Sequence, residues 1–334
     1  MAVYTHIGAE DLAALIEEFD VGVLVSAKGI AEGVSNSNWL VETTGRDGAD
    51  YGWGTRFILT MYEQRTAIAD LPYFLSLLDH LAARGCPVPR TIHDSAGGLY
   101  RLREGKAVAL IEFLPGLSVS EPTPAQAHAV GAALAQMHAA AADFPGSRAN
   151  SMDLAEWRRL LDACGAEGLG RIDPGLAALV TRELAGVAAA WPGNLPRSVI
   201  HADLFPDNVL LRGDRVGGLI DFYFACNDLA AYDVAVTHAA WCFDDAGREF
   251  RPALSAALLA GYESVRPLLP AERAALPVLA RGAALRIVAS RAYDWLHTPQ
   301  GALVTRKDPL AFARRLAFYA DPANAPIFKQ SSFA

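Results

Sequence analysis

Two short apolar runs, Ser198-Val199-Ile200 and Gly218-Leu219-Ile220, each end in a polar cluster, and the carboxylates beyond them, Asp203 and Asp221, stand 18 residues apart. That interval leaves room for one short hairpin that returns the chain to the place it left. A fold for this chain must therefore present His201-Ala202-Asp203-Leu204-Phe205-Pro206-Asp207-Asn208 and Asp221-Phe222 to a common cleft. Polar residues at strand ends, positioned by a rigid scaffold, are the usual carriers of chemistry.

The spacing has a chemical meaning. Phosphoryl transfer needs a carboxylate to take the acceptor hydroxyl's proton, an amide oxygen five residues on for a metal, and a second carboxylate to complete the metal site. His201, Asp203 and Asn208 meet the template H-x-D-x-x-x-x-N without gap or substitution. Asp203 is the candidate proton acceptor. Asn208 and Asp221 are the candidate magnesium ligands, because magnesium takes hard oxygen donors and retains several waters. His201 belongs to this catalytic loop as a residue that holds it rather than as a general base, and Asp207 reads as a solvated carboxylate. The plain alternative is a turn with an Asx cap; the second cluster, at the end of its own apolar run, weighs against it.

Composition narrows the partners. In 334 residues, 52% are hydrophobic and 20% charged, enough to bury two sizeable cores. The net charge is -8 and Lys and Arg form no stripe, which disfavours a nucleic-acid backbone and favours small molecules. Residues 1–20 contain acids but no Lys or Arg, unlike a signal or transit peptide, and no apolar run has the length of a membrane span. A cytoplasmic protein is expected. The four cysteines, Cys86, Cys164, Cys226 and Cys242, form no C-x-x-C pair, so reduced thiols are expected and a zinc site is not. His138, on an alanine-rich stretch, reads as a filler.

Periodicity divides the chain at Leu114-Pro115-Gly116 into an amino-terminal lobe, residues 1–114, and a carboxy-terminal lobe, residues 115–334. In the first, Leu12, Leu15, Ile16 and Phe19 predict a helix. Residues 21–30, 37–43, 55–62, 99–100 and 107–113 predict a sheet of about five strands, and residues 71–84 predict a helix stopped by Gly85. In the second, residues 125–142, 176–191, 228–243 and 281–296 predict helices. The fold class is α+β, with an antiparallel-sheet lobe and a larger, mainly helical one.

A nucleotide would lie between the lobes. The turn Lys28-Gly29-Ile30-Ala31-Glu32-Gly33-Val34-Ser35-Asn36 has small residues that let backbone N–H groups approach phosphates. A plain hairpin is the competing reading, because this turn lacks the G-x-G-x-x-G spacing. Glu112 and Leu114, at the end of the last strand, are placed to offer backbone groups to an adenine ring, as an ordinary edge strand also would be.

At the level of whole strings, His201 to Asn208 with Ile220-Asp221-Phe222 resembles the Brenner motif and metal site of the aminoglycoside phosphotransferase-like kinases, which share a bilobal, protein-kinase-like fold. Residues 28–38 and 219–228, together with Ala284-Leu285-Arg286 and Tyr293-Asp294-Trp295, are similar to the bacterial homoserine kinases of that fold. The resemblance extends from Val3 to about Arg315, nearly the whole chain. It implies transfer of the ATP γ-phosphate to the side-chain hydroxyl of L-homoserine, on the way to threonine, with Asp203 as base and Asn208 and Asp221 holding Mg2+. It also implies adenine contacts by Glu112 and Leu114, and phosphate contacts by Lys28, Gly29, Gly33, Ser35 and Asn36. One departure stands out: where the wider family carries a third-strand lysine or arginine, this chain has Thr60, with Lys28 and Arg65 as the nearest basic alternatives and Asp70 as a conceivable acidic partner.

Homoserine is a zwitterion whose carboxylate suits a guanidinium. Arg281, Arg286 and Arg291 recur every five residues, about 140° apart around a helix, so they cannot share one pocket. Arg286 is the expected carboxylate partner, with Tyr223 and Trp295 as pocket walls. Two alternatives stay open: another hydroxyl acceptor (choline, methylthioribose or an aminoglycoside), and a pseudokinase that binds nucleotide without turnover.

Overall fold

The computed structural model describes residues 7–30, 36–45, 55–63, 67–298 and 306–329. The chain divides into two compact units, residues 1–115 and 116–334.

In the first unit, α1 (Ala9–Glu17) precedes the antiparallel strands β1 (Leu24–Ile30), β2 (Ser37–Thr43) and β3 (Thr55–Met61). Helix α2 (Leu71–Ala83), the short β4 (Thr91–Ile92) and β5 (Arg101–Arg103), and β6 (Lys106–Glu112) follow. The sheet order is β1-β2-β3-β6-β4, with β5 also paired to β6. Strand β2 shows why the sheet has a buried side: Ser37, Trp39, Val41 and Thr43 are buried, while the residues between them are only partly so. Onto that side α1 lays Leu12, Leu15 and Ile16, and with Phe19 these close a core with Leu59, Met61, Val108 and Leu110.

In the second unit, α3 (Pro124–Ala140), α4 (Leu154–Ile172) and α5 (Leu176–Ala190) lead to β7 (Arg197–Ile200). The hairpin β8 (Val209–Arg212) and β9 (Arg215–Leu219) comes next, then β10 (Cys226–Leu229), which pairs back antiparallel on β7. Helices α6 (Ala230–Trp241), α7 (Pro252–Val265), α8 (Pro270–His297) and α9 (Leu310–Ala320) complete it. Helices α3 and α7 approach closely because both carry glycine at the crossing. A Cβ on Gly131 would collide with the Leu258 carbonyl, and one on Gly261 with the His128 carbonyl. No helix among the described residues is long and apolar enough to cross a membrane.

The periodic segments are found with shifted ends, and several elements differ. The strand expected from Val21 starts at Leu24, because Asp20 and Gly22 take left-handed backbone conformations and turn the chain first. The pair expected at Leu99-Tyr100 is not a strand; the pairing lies at Arg101–Arg103. Asp228 is in β10, not in a helix. Helices α4, α7 and α9 were not anticipated: α4 is broken by a left-handed Gly165, and its charges blur the apolar period.

Helix α6 is buried at every one of its 12 positions, and among its polar side chains an acid and a histidine, Asp233 and His238, need partners there. The His238 nitrogens lie 2.7 Å from the Tyr319 hydroxyl and 2.8 Å from the Ser255 hydroxyl, and its ring packs against Phe250 and Phe328. Burial pushes the imidazole down to about 3. Its folded pKa is below the unfolded value, so its neutral form contributes stability that is complete above about pH 6.5 and declines as the pH falls toward 3. Wild-type protein should therefore lose about 2 kcal/mol more unfolding free energy between pH 7 and pH 5 than the His238→Gln variant, read by chemical denaturation at both pH values. Equal losses would remove His238 as an acid-sensitive element.

Candidate active site

The second unit builds the site around one loop. Strand β7 delivers His201, and Ala202 then adopts a left-handed backbone conformation, φ 62°, that turns Asp203 out of the strand line. A short 3-10 turn, Pro206–Asn208, leads into the β8–β9 hairpin, which carries the chain out and back to Ile220 and Asp221. Asp221 is also left-handed, φ 66° and ψ 58°, and the chain continues through Phe222–Phe224 into β10. The anticipated hairpin is thus present, and it brings the two polar clusters together.

Hydrogen bonds stitch the clusters. The Asn208 Nδ2 donates to the Asp203 carbonyl at 2.8 Å, and the Ile220 N–H donates to the Asn208 carbonyl at 3.0 Å. His201 Nε2 donates to the Ile220 carbonyl at 2.9 Å, while its Nδ1 accepts from the Asp203 N–H at 3.3 Å. Both imidazole nitrogens are engaged within the loop, the ring is fully buried against Phe222, and burial lowers its pKa. That geometry suits a neutral strut and leaves no nitrogen for an acceptor hydroxyl.

Beneath the loop lies a residue that the motif did not indicate. Asp233 of α6, with no exposed surface, accepts from the His201 N–H at 2.7 Å, the Ala202 N–H at 2.8 Å and His138 Nε2 at 3.0 Å. Burial alone would raise its pKa. The hydrogen bond and charge of His138, with His201 and its N–H, outweigh that and hold the carboxyl below the ordinary value. His138 is therefore no filler: its Nδ1 lies 2.8 Å from the Tyr262 hydroxyl, which accepts from Arg266 at 3.1 Å. A second contact from α6, Trp241 Nε1 to the Leu204 carbonyl at 2.9 Å, pins the loop further on. The available clue was a lone acid in a mostly apolar helix, which must find a partner once buried.

Arg286 of α8 is 2% exposed and lies under the same loop. Its Nη1 donates to the Ala202 carbonyl, its Nη2 is 3.5 Å from Asp203 Oδ1, and its guanidinium stacks 5.1 Å from the Phe224 ring. Arg281 turns instead to Glu183 at 2.7 Å, and Arg291 to the Asp308 carbonyl at 3.1 Å, so the three arginines do diverge. Both Nη atoms of Arg286, the expected partner of a substrate carboxylate, are turned onto Ala202 and Asp203, while its buried Nε has no hydrogen-bond partner. Trp295 packs elsewhere, under Arg306 at 5.1 Å, about half a turn around the helix from Arg286. Tyr223 is half-buried directly beyond Asp221, and its N–H bonds that carboxylate.

The carboxylates crowd one another. Asp203 is raised by desolvation, against the pull of Arg286, His201 and Lys307. Asp221 is pushed up to about 7, by surrounding protein mass and then by the charges of Asp203 and Asp207. Solvent does reach Asp221 and screens part of that repulsion. A set of crowded carboxylate oxygens beside an amide oxygen is the kind of donor group that a hard divalent cation neutralises. Among the described residues, no three His, Cys, Asp or Glu side chains meet closely enough to hold a metal by themselves.

In the first unit, Gly33, Ser35 and Arg65 lie outside the described residues. Lys28 and Gly29 are exposed on β1, paired with Leu40 and Trp39. Asn36 is buried, and its side-chain oxygen accepts from the Glu63 N–H at 3.3 Å. Thr60 is buried as well and donates to Asn38 Oδ1 at 2.8 Å. Close to the end of β3, Lys106 pairs with Glu63 at 2.6 Å. Glu112 spends its N–H on the Arg90 carbonyl at 2.9 Å and its carboxylate on Arg90 at 3.2 Å; Leu114 follows the strand end, half-buried. Asp70 stands at the entry to α2.

A family model for the phosphotransferase enzyme family matches residues 26–268. This chain belongs to that family. Within the phosphotransferase family it is 50% identical over 97% of its length to a homoserine kinase of Azorhizobium caulinodans, of which 98% is covered. It is 48% identical over 96% of its length to a homoserine kinase of Gluconobacter oxydans, again with 98% covered. Among solved structures it resembles a spectinomycin phosphotransferase in complex with ADP and spectinomycin, with a TM-score of 0.66 at 14% identity, over 97% of this chain and 98% of that one. At that identity the likeness shows the fold, the α+β architecture of aminoglycoside phosphotransferase-like kinases.

If Asp233 organises the loop, replacing it by Asn should leave at least one of its three donors without an acceptor. A loss of about 3 kcal/mol of stability is expected, on the scale of 1–3 kcal/mol per abandoned buried group, together with loss of activity. The Asp203→Asn variant should unfold within about 1 kcal/mol of wild type, because that side chain is partly open to water. Comparable stability losses in both variants, measured by chemical denaturation, would contradict the division of roles.

Proposed function

We propose that this phosphotransferase is a homoserine kinase, which transfers the γ-phosphate of ATP to the side-chain hydroxyl of L-homoserine to give O-phospho-L-homoserine. The likeness over nearly the full length to named homoserine kinases carries the substrate. The stitched set of Asp203, Asn208 and Asp221 supports the reaction class.

In this reading Asp203 positions the acceptor hydroxyl and takes its proton as the hydroxyl oxygen bonds to the γ-phosphorus and the bond to the β-phosphate oxygen breaks. Phosphoryl transfer asks chiefly for alignment and charge neutralisation, so a fixed carboxylate is the main requirement. Arg286 holds Asp203 and the Ala202 carbonyl from below and keeps that carboxylate from swinging. His201 stays neutral and ties the loop to Ile220. The donor set fits Mg2+: Asn208 has its Nδ2 committed to Asp203, leaving Oδ1 to face an ion, and Asp221 is a carboxylate raised by its neighbours. When bound, Mg2+ would neutralise phosphate charge. On the nucleotide side, Lys28, Gly29, Gly33, Ser35 and Asn36 are assigned to the phosphates, and Glu112 and Leu114 to adenine. Glu112 can serve only through its carbonyl, since Arg90 takes its N–H.

The test is ADP release from ATP and Mg2+ with L-homoserine, L-serine, choline, methylthioribose and kanamycin offered separately. Turnover confined to L-homoserine is expected, and turnover restricted to another acceptor would overturn the substrate. In the same assay Asp203→Asn should lose at least about a hundredfold in rate while still binding nucleotide. Unchanged turnover would remove Asp203 from the mechanism.

A further inference from the structure

The carboxylate of an amino-acid substrate needs a cation, and the cations on this flank of the catalytic loop are mostly committed. Arg286 turns both Nη atoms onto Ala202 and Asp203, leaving only a buried Nε without a partner. Arg291 donates to the Asp308 carbonyl and stacks 4.7 Å from the Phe312 ring. Arg315, 4% exposed, also lies over that ring, at 4.1 Å, and donates to the Asp244 carbonyl at 2.8 Å. Lys307 differs. Its Nζ lies 3.1 Å from Asp207 Oδ2, both side chains are well exposed, 58% and 60%, and the ammonium stands 5.9 Å from the Phe205 ring.

From this arrangement we infer that the Lys307–Asp207 pair is the receptor for the substrate's zwitterionic head group, Lys307 taking the α-carboxylate and Asp207 the α-ammonium. The inference rests on the homoserine reading above. Three observations carry it. Asp207 is four residues beyond Asp203 in the same loop, and its backbone is fixed, because its carbonyl accepts from Ser118 Oγ at 3.2 Å and the next N–H bonds the Phe205 carbonyl at 2.9 Å. Lys307 meets Asp207, the residue just before Asn208 in the catalytic loop, so its charge stands at that loop and not on a remote surface, and it favours the ionised forms of Asp203 and Asp221. Finally, an ion pair this exposed is weakly held, so it opens at little expense. A zwitterion inserted into it leaves every charge paired: two partners part, and each takes the opposite charge of the ligand. A monocation or monoanion would satisfy one partner and strand the other. The pair therefore selects for an amino acid over an amino alcohol or a hydroxy acid.

The experiment measures kcat/KM for L-homoserine, 3-aminopropan-1-ol, which lacks the carboxylate, and 4-hydroxybutyrate, which lacks the ammonium. Where an analogue is not turned over, its inhibition constant against L-homoserine replaces kcat/KM. Wild type, Lys307→Met, Lys307→Arg and Asp207→Asn are compared. Lys307→Met should lower kcat/KM for L-homoserine at least about tenfold, mainly through KM, as for a lost hydrogen bond to a charged group, and should change 3-aminopropan-1-ol by less than about threefold. Lys307→Arg should recover most of the loss. Asp207→Asn should penalise L-homoserine but spare 4-hydroxybutyrate. Equal losses on all three compounds, or a raised KM for ATP with that for homoserine unchanged, would overturn the proposal and assign Lys307 to the phosphates or to the fold. Failure of the homoserine reading is distinct: wild type itself would then not phosphorylate L-homoserine, and the proposal would fall with it.

Discussion

The second unit depends on one buried carboxylate. Asp233 sits in a helix with no exposed residue, where an ionised group is tolerated only if it is fully hydrogen-bonded. Its partners are the N–H groups of His201 and Ala202, and His138. Ala202 needs that restraint, since a left-handed backbone at a non-glycine residue costs on the order of 1–3 kcal/mol unless its surroundings impose it. Asp233 imposes it from the N–H side and Arg286 from the carbonyl side. The direction of Asp203 follows from these two contacts, and the Asn208 strut and the hairpin then align Asp221 with it.

Two carboxylates of the same chain are driven in opposite directions by their settings. Asp233 is deeply buried yet held in its charged form, because donors surround it. Asp221 has some surface in solvent yet is raised to about 7, first by the protein packed around it and then by the charges of Asp203 and Asp207, with few donors to offset them. The first is a structural anion, satisfied by the protein. The second retains unsatisfied capacity, which is what a site for an external cation requires. Burial alone would have ranked them the other way round; the number of hydrogen-bond donors decides.

Much of this was legible in the sequence where the information is local. Asp203, Asn208 and Asp221 follow from fixed spacings along a loop and a hairpin, and the division of the three arginines follows from the helical repeat. The α1, α2 and α5 segments were visible as periodic stretches because each has a polar side, and α3 as an alanine-rich run. What could not be read depends on contacts distant in the chain. The Asp233–His138 pair joins residues 95 positions apart, and nothing in the alanine-rich neighbourhood of His138 distinguishes a filler from a buried partner. The Lys307–Asp207 pair spans 100 positions, which is why Asp207 read as a merely solvated acid. The contacts of Arg286 with Ala202 and Asp203 were not legible, because helical geometry gives direction and not occupancy. Helix α8 was read as starting at Arg281 although it starts at Pro270 and passes through Pro277, a residue that local propensity counts as a stop.

The distribution of the two basic residue types follows from their chemistry. A cation held under a loop loses its water, and a guanidinium is the more weakly hydrated group; its planar fork can meet a carbonyl and a carboxylate at once, as Arg286 does with Ala202 and Asp203. An ammonium in the same place would lose more hydration and would lack the planar fork that fixes both acceptors in one orientation. At the open face the requirement reverses. A group that must exchange one anion for another in water should be strongly hydrated and flexibly mounted, so that neither partner is bound too firmly to leave. Lys307, exposed and paired with the equally exposed Asp207, has those properties. The buried arginine fixes geometry and the exposed lysine permits exchange, and interchanging them would degrade both.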